Sequence, residues 1–161
     1  MDTGYLISLL QELAFLFISF GALLSYAIFR GRQALINLIT GLYFALLVSL
    51  VFPYYAYFIP ANSSDYSSAV GKIVIFAIFA LIATVLMTRL MPEEFREKKF
   101  ESFPKKALLA VAGTILIMVF SFHVLPVAEL ITPTSPISYL FAAKDTFFWW
   151  LLAPMILLYL N

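Results

Sequence analysis

The chain contains no cysteine and a single histidine among its 161 residues. Disulfides, zinc–thiolate sites and thiol redox chemistry are therefore excluded, and too few imidazole ligands remain for a conventional transition-metal site. Charge is also scarce. Asp, Glu, Lys and Arg together make up 12% of the residues, about half of what a soluble domain carries. The net charge of +1 gives no global field toward nucleic acid. There is no glycine-rich phosphate loop, no serine in a nucleophile-elbow context and no His-x-x-x-His pair. No catalytic, cofactor-binding or metal-binding residue is assigned, and the chain reads as non-enzymatic.

What is present is apolar. Hydrophobic residues account for 63% of the chain, gathered into long stretches at about 5–29, 33–58, 70–90 and 107–125. Each is close to the roughly 20 residues that cross a hydrocarbon core about 30 Å thick. A fifth stretch, 137–160, is interrupted by Lys144-Asp145. Its unbroken part, 146–160, would make about 22 Å of helix, short for a full crossing. The favoured reading is a fifth crossing kinked at Pro154, with Trp149 and Trp150 at the outer belt and Tyr159 near the inner one. The rival is a hairpin lying along the outer leaflet. The expected fold is an all-α membrane protein, a bundle of four to five transmembrane helices forming one polytopic domain over residues 1–161. The first stretch lacks a basic flank and a small-residue cleavage site, so it is expected to stay as a helix.

Lysine and arginine set the orientation. Arg30 and Arg32 follow the first stretch, and Arg89, Arg96, Lys98, Lys99, Lys105 and Lys106 follow the third. The alternate gaps hold only Lys72 and Lys144. Loops rich in basic residues stay in the cytoplasm, which places the N-terminus outside.

The second stretch carries the sharpest pattern. Asn37, Gly41, Ala45 and Ser49 recur every four residues, and Pro53 continues the series. Positions four apart share a helix face, so these residues form a groove of small side chains. In lipid such grooves let backbones approach closely, and Asn or Ser can hydrogen-bond across the contact. Similar stripes are Ala14, Ile18, Gly21 and Ser25 on the first helix, and Ala77, Ala80, Thr84 and Thr88 on the third. The fourth helix has Ala110, Gly113, Ile117 and Ser121. Such faces serve packing inside the bundle, or contact with a partner protein or a second copy.

Two polar regions remain. In the loop 91–106, Phe95, Phe100 and Phe103 fall on one side of a helical projection, with Arg96, Lys98 and Lys99 adding positive charge. This reads as an amphipathic segment on the anionic inner leaflet. Glu12, His123 and Glu129 could form a polar cluster at the outer side. Headgroup water accounts for residues near helix ends, so the favoured placement is interfacial. A buried Glu12–His123 pair would instead line the vestibule of a small transporter or channel subunit.

The run Phe29-Arg30-Gly31-Arg32-Gln33-Ala34-Leu35 opens a helix that passes through Thr40-Gly41 and ends in Pro53-Tyr54-Tyr55-Ala56-Tyr57. Over roughly residues 15–90 this resembles the colicin V production (CvpA) family, in which a basic Arg-Gly turn leads into a small-residue helix closing with aromatics. The second half departs from the family's pattern, reading Pro104-Lys105-Lys106-Ala107 where the family has spaced glycines. The resemblance implies a multi-pass bacterial inner-membrane protein without catalytic residues or cofactor, supporting toxin export and envelope upkeep. Arg30, Gly31 and Gly41 carry over as structural determinants, with Arg32 completing the basic turn.

Overall fold

The computed structural model describes residues 3–59, 64–91, 103–123, 140–141 and 146–160. They form six helices: α1 (Thr3–Arg30), α2 (Arg32–Val51), α3 (Tyr55–Phe58), α4 (Asp65–Leu90), α5 (Phe103–His123) and α6 (Phe147–Leu160). No strand occurs among the described residues. Four helices, α1, α2, α4 and α5, are long and apolar enough to cross a membrane. α6, with 14 residues, is shorter.

Local chemistry explains the ends. α1 and α2 are separated only by Gly31, whose φ of 95° and ψ of 167° lie where side chains are excluded, so the chain reverses in one residue. α2 stops at Val51 rather than running on to 58, because Phe52 precedes Pro53. A proline clashes with a helical residue before it, and Phe52 is extended, with ψ of 111°. The aromatics beyond fold into the single turn α3. There Phe52 packs edge-on against Tyr55 and Phe79 with ring centroids 5.1 Å apart. Burial pushes the Tyr55 phenol above its ordinary pKa, and its contact with Ser49 offsets this in part. α4 starts five residues before the apolar stretch because Ser64 caps it, accepting a hydrogen bond from the Ser67 amide at 3.3 Å. At the start of α5, Pro104 sits in the first turn, where its missing N–H is no loss.

α2 and α5 form the middle of the bundle. α2 packs most extensively on α4, and also on α1 and α5; α5 packs on α1, α2 and α6. Leu35, Ile39, Leu109, Leu116, Met118, Val119 and Phe120 are fully buried between them. α4 is peripheral, leaning on α2 and touching α5 where Phe76 meets Phe120 edge-on at 5.6 Å. The outward faces remain apolar, with Ile18, Leu81 and Leu50 each about two-thirds exposed. An aqueous protein would not show that surface on every side; a lipid-embedded one does.

α6 sits deeper than an outer-belt reading of its tryptophans requires. The Tyr43 hydroxyl, from the middle of α2, donates to the Leu151 carbonyl at 2.5 Å. Tyr43 is eight residues, about 12 Å, inside the α2 end at Val51. Trp150, next to Leu151, therefore lies well below that end, where its Nε1 donates to the Leu140 carbonyl and its ring packs on Phe141. The helix runs unbroken through Pro154, which is buried. Proline withholds one backbone donor from the preceding turn, and a hydroxyl from the neighbouring helix bonds a carbonyl there.

Candidate functional site

The α2 stripe is wholly enclosed by its own chain. Asn37, Gly41, Ala45 and Ser49 are all buried. A Cβ on Gly41 would lie 2.6 Å from Thr84 Oγ1 and 2.8 Å from the Thr84 backbone nitrogen. The two helices are thus in backbone contact at this point, with α4 filling the groove. The polar members do not bridge the helices as their sequence pattern allows. Ser49 Oγ donates to the Leu46 carbonyl at 2.8 Å, and Thr84 Oγ1 to the Ala80 carbonyl at 2.7 Å. Asn37 Oδ1 accepts from Gln33 Nε2 at 3.1 Å. Each satisfies itself within its own helix, so close packing carries the contact.

The other stripes divide. On α5, Ala110, Gly113 and Ser121 are buried and Ile117 is half-buried. On α4, Ala80 and Thr84 face α2 while Ala77 and Thr88 are exposed. On α1 the expected packing face points outward: Ala14 and Ser25 are exposed, Ile18 is 70% exposed, and a Cβ on Gly21 would meet nothing within 4 Å. α1 uses another face, burying Glu12, Leu23 and Ala27. Of the two uses open to such a stripe, the one on α1 does not serve packing inside the bundle.

Glu12 does not reach solvent: it is 2% exposed, enclosed within the bundle although it lies near the outer part of α1. The register places it beside the end of α5. Gly113 meets Leu23, and eleven residues back along α1 and eight to ten forward along α5 bring Glu12 level with Ser121 and His123. The His123 side chain and Glu129 lie outside the described residues. So do Phe95, Arg96, Lys98, Lys99 and Phe100 of the amphipathic loop. Phe103 belongs to α5 and is half-exposed.

One residue was missed. Lys106 is 3% exposed. Sequence reading counted it among loop cations, and lysines at helix ends ordinarily reach water, so no local signal marks it. Its position follows from the heptad spacing of three helices. Gly113 lies against Leu23 of α1 and Ile39 of α2. Seven residues, two turns or about 10 Å, toward the same end lead to Lys106, Arg30 and Arg32 on matching faces. This register puts all three cations at the same, basic end of the central helices. The two acids among the described residues, Glu12 and Asp65, belong to the opposite end. Among the described residues no group of three or more His, Cys, Asp or Glu could hold a metal ion.

These features define a helical membrane-spanning bundle. Compared with known families, curated proteins and solved structures, the chain has no match.

Proposed function

We propose that this chain is a non-enzymatic, multi-pass component of the bacterial inner membrane that supports envelope assembly or homeostasis, or toxin export, through helix–helix contacts. The observation that carries this reading is the uncovered face of α1. Ala14, Ile18, Gly21 and Ser25 present a shallow, small-residue surface to the bilayer, the kind against which another transmembrane helix packs closely. The α2 stripe is filled by α4 and is not offered to a partner. The basic Arg30-Gly31-Arg32 turn and Gly41, on which the resemblance to the colicin V production family rests, both have structural work here: a one-residue reversal and a backbone contact.

The test is affinity purification from native membranes in mild detergent, comparing wild type with Gly21→Leu. Loss of a co-purifying membrane protein in the variant, with the fold intact, supports the reading. An identical set of co-purifying proteins from both rules out α1 as the contact face.

A second reading, a small transporter or channel subunit, rests on the burial of Glu12 level with the end of α5. A carboxyl group enclosed between transmembrane helices is the usual mark of an ion or proton path. Under this reading Glu12→Gln abolishes flux in liposomes while the helices stay folded; normal flux in that variant removes it.

A further inference from the structure

We infer that the exposed rings of Tyr54, Tyr57 and Phe58, on and beside α3, are a lipid anchor. They lie in the headgroup layer at the end of the bundle opposite Arg32 and Arg89, and hold α2 and α4 there.

The position follows from the two helices that flank α3. α2 starts at Arg32 and ends at Val51, and its 20 residues make about 30 Å of helix, the thickness of a hydrocarbon core. α4 starts at Asp65 and returns to Arg89 in its last turn. Residues 52–59 therefore lie where α2 leaves the hydrocarbon, at the level where α4 begins.

The chemistry of the segment suits that level. Residues 52–64 contain no Asp, Glu, Lys or Arg. The chain has nine tyrosines, and Tyr54, Tyr55, Tyr57 and Tyr66 gather at this one end. A tyrosine has an apolar ring and a polar tip, so it is most stable where hydrocarbon gives way to headgroups. Tyr54, Tyr57, Phe58 and Tyr66 are each more than half exposed, with Tyr57 at 83%. A soluble surface avoids such a group of bare rings, whereas the bilayer interface covers it.

The segment is also fastened to both helices, so that holding α3 holds them. Phe52 is the hub. It packs edge-on against Tyr55 and against Phe79 of α4, and stacks on Phe58 with centroids 6.2 Å apart. The Tyr55 hydroxyl donates to the Ser49 carbonyl of α2 at 3.3 Å. Ile59 lies against α4 at Gly71, where a Cβ would come within 3.1 Å of the Ile59 Cγ1 atom. Phe52 and Tyr55 thus face the protein, while the neighbouring Tyr54 and Tyr57 rings, 5.9 Å apart, face away from it. Interfacial aromatics of this kind set how a helix sits in the bilayer.

The absence of cysteine makes the test direct. One cysteine is placed in the full chain at the exposed Ala56, between the anchoring rings, and labelled with the fluorophore NBD. A second protein carries the label at Ile78, exposed and midway along α4. Both are reconstituted in phosphatidylcholine vesicles containing lipid with a nitroxide either at the headgroup or near the chain end. The label at 56 should be quenched more by the headgroup nitroxide, and the label at 78 more by the chain-end nitroxide. Quenching at 56 by aqueous iodide and by neither lipid overturns the proposal and leaves the rings as a surface for a protein. Stronger quenching at 56 from the chain end also overturns it, since α3 would then lie within the hydrocarbon. Tyr54→Ser, Tyr57→Ser and Phe58→Ser together spare Phe52 and Tyr55. They should abolish headgroup quenching at 56 and open the label to iodide, while the label at 78 stays quenched from the chain end. Tyr57→Ser alone should shift the label part of the way, which keeps the test decisive if the triple variant does not insert. Unchanged quenching at 56 in the serine variants shows that the rings do not hold the segment and overturns the anchor.

Discussion

Gly41 of α2 and Thr84 of α4 touch through their backbones. A Cβ on Gly41 would lie 2.8 Å from the Thr84 nitrogen and 2.9 Å from its Cα, distances at which the helices themselves would have to move apart. This single contact sets how closely α4 approaches the rest of the bundle, since α2 is its main neighbour. Even Gly41→Ala should destabilise the fold by about 1–3 kcal/mol, the cost of overpacking a well-filled site, and Gly41→Leu by more. Leu42→Ala, at a half-buried position, should cost less than Gly41→Leu. Thermal unfolding in detergent, followed by circular dichroism, measures the difference. A Gly41→Ala protein as stable as wild type would show that the helices are not in backbone contact.

Gly113 makes a useful contrast. A Cβ there would meet the Leu23 Cδ1 atom at 2.8 Å, the far end of a flexible side chain that can turn away. Gly113→Ala should therefore lower the unfolding temperature less than Gly41→Ala, although both glycines are buried. Equal losses would mean that Leu23 is locked in place by its neighbours.

Gly31 and Gly21 separate backbone strain from space. Neither would bring a Cβ within 4 Å of another group. Gly31 has φ of 95° and ψ of 167°, a conformation left to glycine, and Gly31→Ala should cost about 1–3 kcal/mol. Gly21 lies inside α1, where alanine is the better helix former by about 1 kcal/mol, so Gly21→Ala should be neutral or stabilising. The same unfolding assay reads both, and a destabilised Gly21→Ala protein would reveal a contact on α1 that the chain alone does not provide.

Tyr43 holds α6 in place. Its hydroxyl reaches the Leu151 carbonyl in the turn that precedes Pro154. Removing it in Tyr43→Phe should cost about 0.6 kcal/mol, at most about 1.7, the measured range for such bonds in membranes. The loss should be local. Amide hydrogen exchange in residues 147–160 should speed up while α2 and α5 keep their protection. Uniform acceleration throughout would make the bond part of the global core rather than a clamp on one helix.

Much of the architecture was readable in one dimension. The length of the apolar stretches, set against the thickness of a bilayer, determined that the chain spans the membrane, and the four longest helices appear close to where hydropathy puts them. Proline chemistry at Pro53 could have shortened α2 to its true end, because the rule on the residue before proline is local. The repeat of Asn37, Gly41, Ala45 and Ser49 marked a packing face, since a four-residue spacing places side chains on one side of any helix.

What the sequence could not contain was which element meets which face. α1 and α2 carry equivalent small-residue stripes, yet one is buried against α4 and the other looks outward. Periodicity records that a helix has a distinctive face; only the position of its neighbours decides whether that face is covered. The same holds for Glu12 and Lys106. Both sit near helix ends, where charged side chains ordinarily reach water, and both are buried in the assembled bundle. Burial belongs to the assembled bundle, and Lys106 comes level with Arg30 and Arg32 only because α5, from a distant part of the chain, shares a register with α1 and α2.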